Sequence, residues 1–197
     1  MSVPVEIKPD KDRTFIEVYD NVLSSEYCAE LIQRIDKDPR LKGVTDNKTY
    51  DLQQLILWQL HDWDETNQFL SRKFAELSQM YYDKYMPLWP GDFQYESIKF
   101  KKYDHTKDEH FKEHVDVDDV RSCVRFLTSL WFLNDIEYGG ETVFTEQGLQ
   151  VQPRAGRVIL FPPLWTHPHY SNKAPKEDKF IFTQYLHYSI QSMDPLV

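Results

Sequence analysis

Residues 110–119, HFKEHVDVDD, carry two incompatible metal-binding patterns. Wound as a helix, His110, Glu113 and His114 form H-x-x-E-H, in which two imidazoles one turn apart hold zinc and the glutamate activates water. Extended as a strand, His114 and Asp116 form H-x-D and project from one face, a pair suited to iron. The flanks favour the strand. KKYDHTKDEHF upstream has no helical period, and HVDVDDV downstream alternates apolar and polar residues. The third ligand must then come from elsewhere in the fold, and His167 and His169 in WTHPHY, just beyond GRVILF, are the natural donors. Two imidazoles and one carboxylate compose the facial triad of non-haem Fe(II) sites, which leaves positions open for a chelating co-substrate and dioxygen.

A lysine on the last strand extends this constellation. With period two, KFIFTQYLHY puts Lys179, Ile181, Thr183 and Tyr185 on one face and Phe180, Phe182, Gln184 and Leu186 on the other. The phenylalanine face packs against a bracing layer, which turns Lys179 and Thr183 inward. A buried ammonium needs an anionic partner, and a dicarboxylate supplies one. The competing reading leaves Lys179 in a solvated charge cluster with Glu177 and Asp178.

The elements that must position these residues follow from periodicity. SSEYCAELIQRIDKDP spaces Cys28, Leu31, Ile32 and Ile35 helically behind a serine cap, and a second helix runs from Asp64 to about Tyr85 along Leu70, Phe74, Leu77 and Tyr81 before MPLWPG stops it. TFIEVYDNVL reads as a strand ahead of the first helix. Residues 41–60 mix polar and apolar signals and read as a loop that covers a site. From Asp92 onward YESIKFKKY, CVRFLTSLWFLN, LQVQP, GRVILFP and KFIFTQYLHY read as strands separated by glycine and proline turns. The fold class is mainly β with α, an antiparallel sandwich or jelly roll braced on one face by N-terminal helices. It forms one domain over 1–197, with a helical support region at about 14–90 and the jelly-roll core at about 92–190.

Bulk properties narrow the function. A chain of 197 residues with 41% apolar and 15% aromatic content has enough to bury a core. The N-terminus lacks the apolar core of a signal peptide, and no apolar run reaches membrane length, so a soluble, cytoplasmic protein without a membrane partner is expected. Cys28 and Cys123, the only 2 cysteines, form no C-x-x-C pattern, so any metal must be held by His and carboxylates. The net charge of -9 disfavours nucleic acid as a partner and favours a neutral or basic substrate.

Taken together, these blocks resemble the Fe(II)/2-oxoglutarate-dependent dioxygenases, and more narrowly the prolyl 4-hydroxylase-like branch with its short bacterial and phage members. The resemblance covers about 98–188 and rests on Tyr103, Phe111, His114 and Asp116, on RFLTSLWFLND, EYGGETVF and VQPRAGRVILFPP, and on HPHYSNKAPKEDKFIFTQY. It implies a double-stranded β-helix core, Fe(II) as the metal, 2-oxoglutarate and O2 as co-substrates, and ascorbate as a stimulating reductant. Implied iron ligands and catalytic residues are His114, Asp116 and one late histidine, with His169 favoured over His167 by its spacing to Lys179. Lys179 would pair with the distal carboxylate of 2-oxoglutarate, aided by Tyr103 and Thr183. Phe132 stands where some relatives carry a co-substrate tyrosine, so Thr128, on the same strand face, is expected to help. The implied reaction hydroxylates an unactivated C–H bond of a prolyl residue in a peptide or protein, or of a free amino acid, releasing succinate and CO2. Halogenases of this type lack the carboxylate that Asp116 retains. Trp165, Trp131, Arg125 and residues 41–60 are candidate substrate-facing elements. Iron affinity should fall as pH drops through roughly 6.5, the unperturbed histidine value. Two other classes stand beside this reading: a zinc metallopeptidase using His110, Glu113 and His114, and a non-catalytic jelly-roll binding module.

Overall fold

The computed structural model describes residues 14–46, 49–85, 92–107 and 109–189. The polar leader at 1–13 and the MPLWPG helix stop at 86–91 lie outside them. Helix α1 (Ser25–Asp36) begins where the Ser24 hydroxyl accepts the Tyr27 N–H at 3.2 Å, a cap that satisfies a donor the first turn would leave orphaned. It buries Cys28, Leu31 and Ile35. Helix α2 (Asp64–Tyr85) follows a single 3-10 turn and buries Leu70, Phe74, Leu77 and Tyr81, the stripe expected from its spacing. Among the described residues no helix is long and apolar enough to cross a membrane.

Twelve strands complete the described fold: β1 (Glu17–Tyr19), β2 (Lys42–Asp46), β3 (Tyr50–Ile56), β4 (Phe93–Tyr95), β5 (Lys99–Tyr103), β6 (His110–Phe111), β7 (Arg125–Phe132), β8 (Thr142–Phe144), β9 (Leu149–Val151), β10 (Val158–Phe161), β11 (His169–Ser171) and β12 (Lys179–Tyr188). The large sheet runs β1-β10-β7-β12-β5-β3-β2, with β4 added to β12 and β6 to β3; the small sheet runs β11-β8-β9. The two sheets form a jelly roll. One apolar cluster joins their inner faces through Leu130, Phe132, Phe144, Val151, Phe161 and Ile181. A second joins the helices to the outer face of the large sheet through Leu70, Phe74, Trp131, Phe180, Phe182 and Leu186. The alternation expected in β12 therefore holds, with its phenylalanines on the helical layer and Lys179, Ile181 and Thr183 inside.

Three readings are corrected. Within 41–60, Lys42–Asp46 and Tyr50–Ile56 are not a loop, because β2 and β3 pair antiparallel and extend the large sheet beside β5. Leu52 packs in the inner cluster and Leu55 in the outer one, so each face of β3 buries one leucine and no alternation marks the strand in the sequence. Trp131 is fully buried and stacks on Phe182 with centroids 4.9 Å apart, so it serves the helical layer and does not face substrate. Residues 110–114 are a two-residue strand, a bend and a bridge rather than a helix, which removes the geometry that a zinc-peptidase H-x-x-E-H requires.

Candidate active site

His114 and His169 come from distant parts of the chain and are joined through their backbones, each N–H donating to the other's carbonyl at 2.9 Å. Their rings are fixed by the same device. His114 Nδ1 lies 2.8 Å from the Lys112 carbonyl, and His169 Nδ1 lies 3.1 Å from the His167 carbonyl. A carbonyl only accepts, so each proton sits on Nδ1 and each Nε2 presents a free lone pair. Both lone pairs face Asp116: His114 Nε2 is 3.7 Å from Oδ1, and His169 Nε2 is 4.0 Å from Oδ2. One ligand atom from each of the three residues lies within 4.8 Å of the others, a cluster that could hold a metal ion. An N2O set of this kind fits ferrous iron.

Asp116 is held from three sides. The Tyr185 hydroxyl donates to Oδ1 at 3.0 Å, the Thr128 hydroxyl donates to Oδ2 at 3.2 Å, and Arg125 donates to the Asp116 carbonyl at 2.9 Å while pairing with Glu96. Burial opposes ionisation of Asp116, but the two facing imidazoles, His114 foremost, and the Lys101 ammonium outweigh it and hold the carboxyl well below its ordinary range. Burial pushes His169 down to about 4. A neutral imidazole beside an ionised carboxylate is the state metal binding needs. His167 is turned elsewhere, with Nε2 2.9 Å from the Thr14 carbonyl and Nδ1 2.8 Å from the Thr166 hydroxyl.

The cavity next to this cluster is lined by Tyr103, Thr142, Lys179 and Thr183. Lys179 is 2% exposed and donates to the Gly140 carbonyl and the Ser171 hydroxyl, both at 2.6 Å, yet no carboxylate lies within ion-pair distance among the described residues. Burial pushes its pKa down to about 7, against the charge of Glu141. Among the described residues, the hydroxyl oxygens of Thr142 and Thr183 are buried without a hydrogen-bond partner. A desolvated cation beside two orphaned hydroxyls fits one end of a dicarboxylate such as 2-oxoglutarate. Tyr103 is buried with its ring centroid 5.5 Å from Lys179 Nζ.

Thr128 departs from its expected part. Its hydroxyl is committed to Asp116 because Thr128 sits opposite Tyr185, whereas Phe132, four residues along β7, is the position level with Ile181 and Lys179. Sequence reasoning also missed Thr142, Ser171 and Tyr185. Tyr185 was recoverable, since it shares the Lys179 face of β12; Thr142 and Ser171 become neighbours only through the β8–β11 register. Arg125 lines the outer groove but is occupied by Glu96, and Trp165 is 79% exposed.

Comparison with known proteins agrees with this geometry. Residues 98–187 match the family described as the 2OG-Fe(II) oxygenase superfamily. No significant match exists among curated proteins. Among solved structures, the chain is similar to the 2OG complex of a viral collagen prolyl hydroxylase from Paramecium bursaria chlorella virus-1, at TM-score 0.71 and 19% identity over 92% of this chain and 100% of that one. A Trichoplax adhaerens prolyl hydroxylase, solved with a hypoxia inducible factor peptide fragment, gives TM-score 0.73 and 15% identity over 88% of this chain and 83% of that one. A Pseudomonas putida prolyl-4-hydroxylase gives 0.65 and 14% over 88% and 92%. At these identities the structural likeness shows a common fold.

Proposed function

We propose, from the match of residues 98–187 to the 2OG-Fe(II) oxygenase superfamily, that the protein hydroxylates an unactivated C–H bond, in a prolyl residue of a peptide or protein or in a free amino acid, with release of succinate and CO2. The observation that carries the reading is the convergence of two oriented imidazole lone pairs and one ionised carboxylate beside a cavity whose buried lysine lacks an anion. In this reading His114, Asp116 and His169 hold the iron and act as the catalytic centre. Lys179, Thr183 and Tyr103 receive the distal carboxylate of 2-oxoglutarate, and Thr142 joins them.

Iron with 2-oxoglutarate and dioxygen supplies an oxidising power that no side chain possesses. The protein's own task is positioning. Lys112 and His167 carbonyls keep the imidazole protons on Nδ1, so Nε2 stays available as a ligand. Tyr185 and Thr128 take up hydrogen-bonding capacity on the Asp116 oxygens and fix the carboxylate plane. The apolar walls formed by Leu130, Phe161 and Ile181 limit water around the reacting centre. Retention of a carboxylate at 116 favours hydroxylation over halogenation. The prolyl hydroxylases among the structural neighbours, one of them solved with a peptide, support a prolyl or peptide substrate. The two helices, packed on the outer face of the sheet, support treating α1 and α2 as bracing for the core and 1–197 as one domain, while β1, β2 and β3 of the expected support region join the large sheet.

A pair of variants tests the ligand assignment. His169→Asn is expected to abolish iron-dependent consumption of 2-oxoglutarate, and His167→Asn is expected to retain it. The reverse pattern would make His167 the ligand and overturn the assignment.

A further inference from the structure

Strand β5 turns Lys99, Lys101 and Tyr103 into the jelly roll, opposite Thr183, Ile181 and Lys179 of β12, while Phe100 and Lys102 face the helices. Each of the other cations lining the site has a partner. Lys99 pairs with Glu96 at 3.4 Å, Arg125 pairs with Glu96 at 2.5 Å, and Lys179 donates to Gly140 and Ser171. Lys101 makes no hydrogen bond or ion pair among the described residues; its Nζ stands 4.9 Å from the Phe111 ring centroid. It also occupies a boundary. Lys101 lines the inner cavity together with Lys179, and it lines the outer groove, a space of about 540 Å³ walled by Tyr50 and Gln54 of β3, His114 and Asp116.

Asp116 is the carboxylate whose charge reaches Lys101, from beyond ion-pair distance, and iron bound there would claim it. An enclosed ammonium left without a close counter-charge is costly, so the natural occupant of that boundary brings one. The co-substrate does not need it. Lys179 with the free hydroxyls of Thr142 and Thr183 already accounts for one carboxylate at the far end of the cavity. Lys101 stands on the open side, where a substrate entering from the groove meets the iron ligands. Resting on the hydroxylase reading above, we propose that Lys101 determines specificity by receiving a carboxylate of the substrate, which makes the substrate a carboxylate-bearing amino acid or an acidic peptide segment. This reverses the preference for a neutral or basic substrate that net charge alone implies.

The test follows succinate release above the basal rate with ferrous iron, using probe pairs that differ in one charge. L-proline against L-prolinamide examines a free α-carboxylate, and a blocked Pro-Glu peptide against its Pro-Gln counterpart examines a side-chain carboxylate. In one pair at least, the acid member is expected to half-saturate the wild type at a concentration at least about tenfold lower, as a charged hydrogen bond would give. Lys101→Gln should bring the acid-to-neutral ratio towards one, and Lys101→Arg should keep it. The proposal is overturned if the neutral members perform as well as the acids, if no probe stimulates turnover, or if Lys101→Gln weakens 2-oxoglutarate more than the acid. Basal turnover without an acid preference defeats this inference alone. A wild type that consumes no 2-oxoglutarate at all defeats the hydroxylase reading and the inference with it.

Discussion

An ammonium buried as deeply as that of Lys179 keeps its proton only while its surroundings compensate for lost hydration. Its pKa, lowered by burial to about 7, means that the charged form competent to pair with a carboxylate predominates below that value and is lost as pH rises through it. The kcat/KM for 2-oxoglutarate is therefore expected to decline above about pH 7, and Lys179→Arg, which cannot lose its charge, should flatten that limb. A wild-type profile that stays level through about pH 9 would contradict the assignment, because a lysine in this environment would then be titrating at its ordinary value. For His169 the ordinary histidine value also misleads. Burial moves its protonation to about 4, so its proton competes with iron only in that range and not near 6.5; histidine NMR titration of the metal-free protein reads this directly. At this scale Lys179 and Thr183 were legible from the alternation of β12, and His114 and Asp116 from their H-x-D spacing taken together with Lys179 and the late histidines; His114 makes a single bridge and Asp116 lies in a bend, outside any strand. The hydroxyl of Thr128 was not, since its commitment to Asp116 depends on the register of β7 against β12.

Strands and turns carry these residues with little tolerance at a few points. Gly139 and Gly140 adopt φ of +75° and +72°, and a Cβ on Gly139 would stand 2.0 Å from the Lys173 carbonyl oxygen. The same turn aims the Gly140 carbonyl at Lys179. Gly139→Ala is expected to lose about 1–3 kcal/mol from the left-handed backbone alone, read by denaturant unfolding, and to raise the KM for 2-oxoglutarate as well. Unchanged stability and KM would mean that the turn does not support the site. The helices were legible in the sequence almost residue for residue, because Ser24 caps one and single apolar stripes define both. The β2–β3 pair was not. Leu52 and Leu55 bury on opposite faces of one strand, so no periodic signal survives there, and β3 walls the groove to which Lys101 belongs.

Across the molecule, the helices brace one face of the large sheet, the two sheets enclose the site, and the residues proposed to hold iron arrive from segments more than 50 residues apart in sequence. The layered class was legible from helices followed by strands, whereas the pairing order β10-β7-β12-β5 and the His114–His169 bridge are products of long-range register that no local pattern encodes. Ligands that bridge such segments should stabilise the whole fold. Ferrous iron with 2-oxoglutarate at about 100 times its Kd is expected to add roughly 2.7 kcal/mol, a rise in Tm of about 5–10 °C for a domain of this size, and Asp116→Ala should remove most of that rise. The most direct measurement of the central claim is succinate formation from 2-oxoglutarate by purified protein under air, with ferrous iron and ascorbate, in wild type beside Asp116→Ala. The expected result is iron-dependent succinate from the wild type and none above background from the variant. Succinate from both at equal rates, or from neither although the wild type has bound iron, would contradict the account.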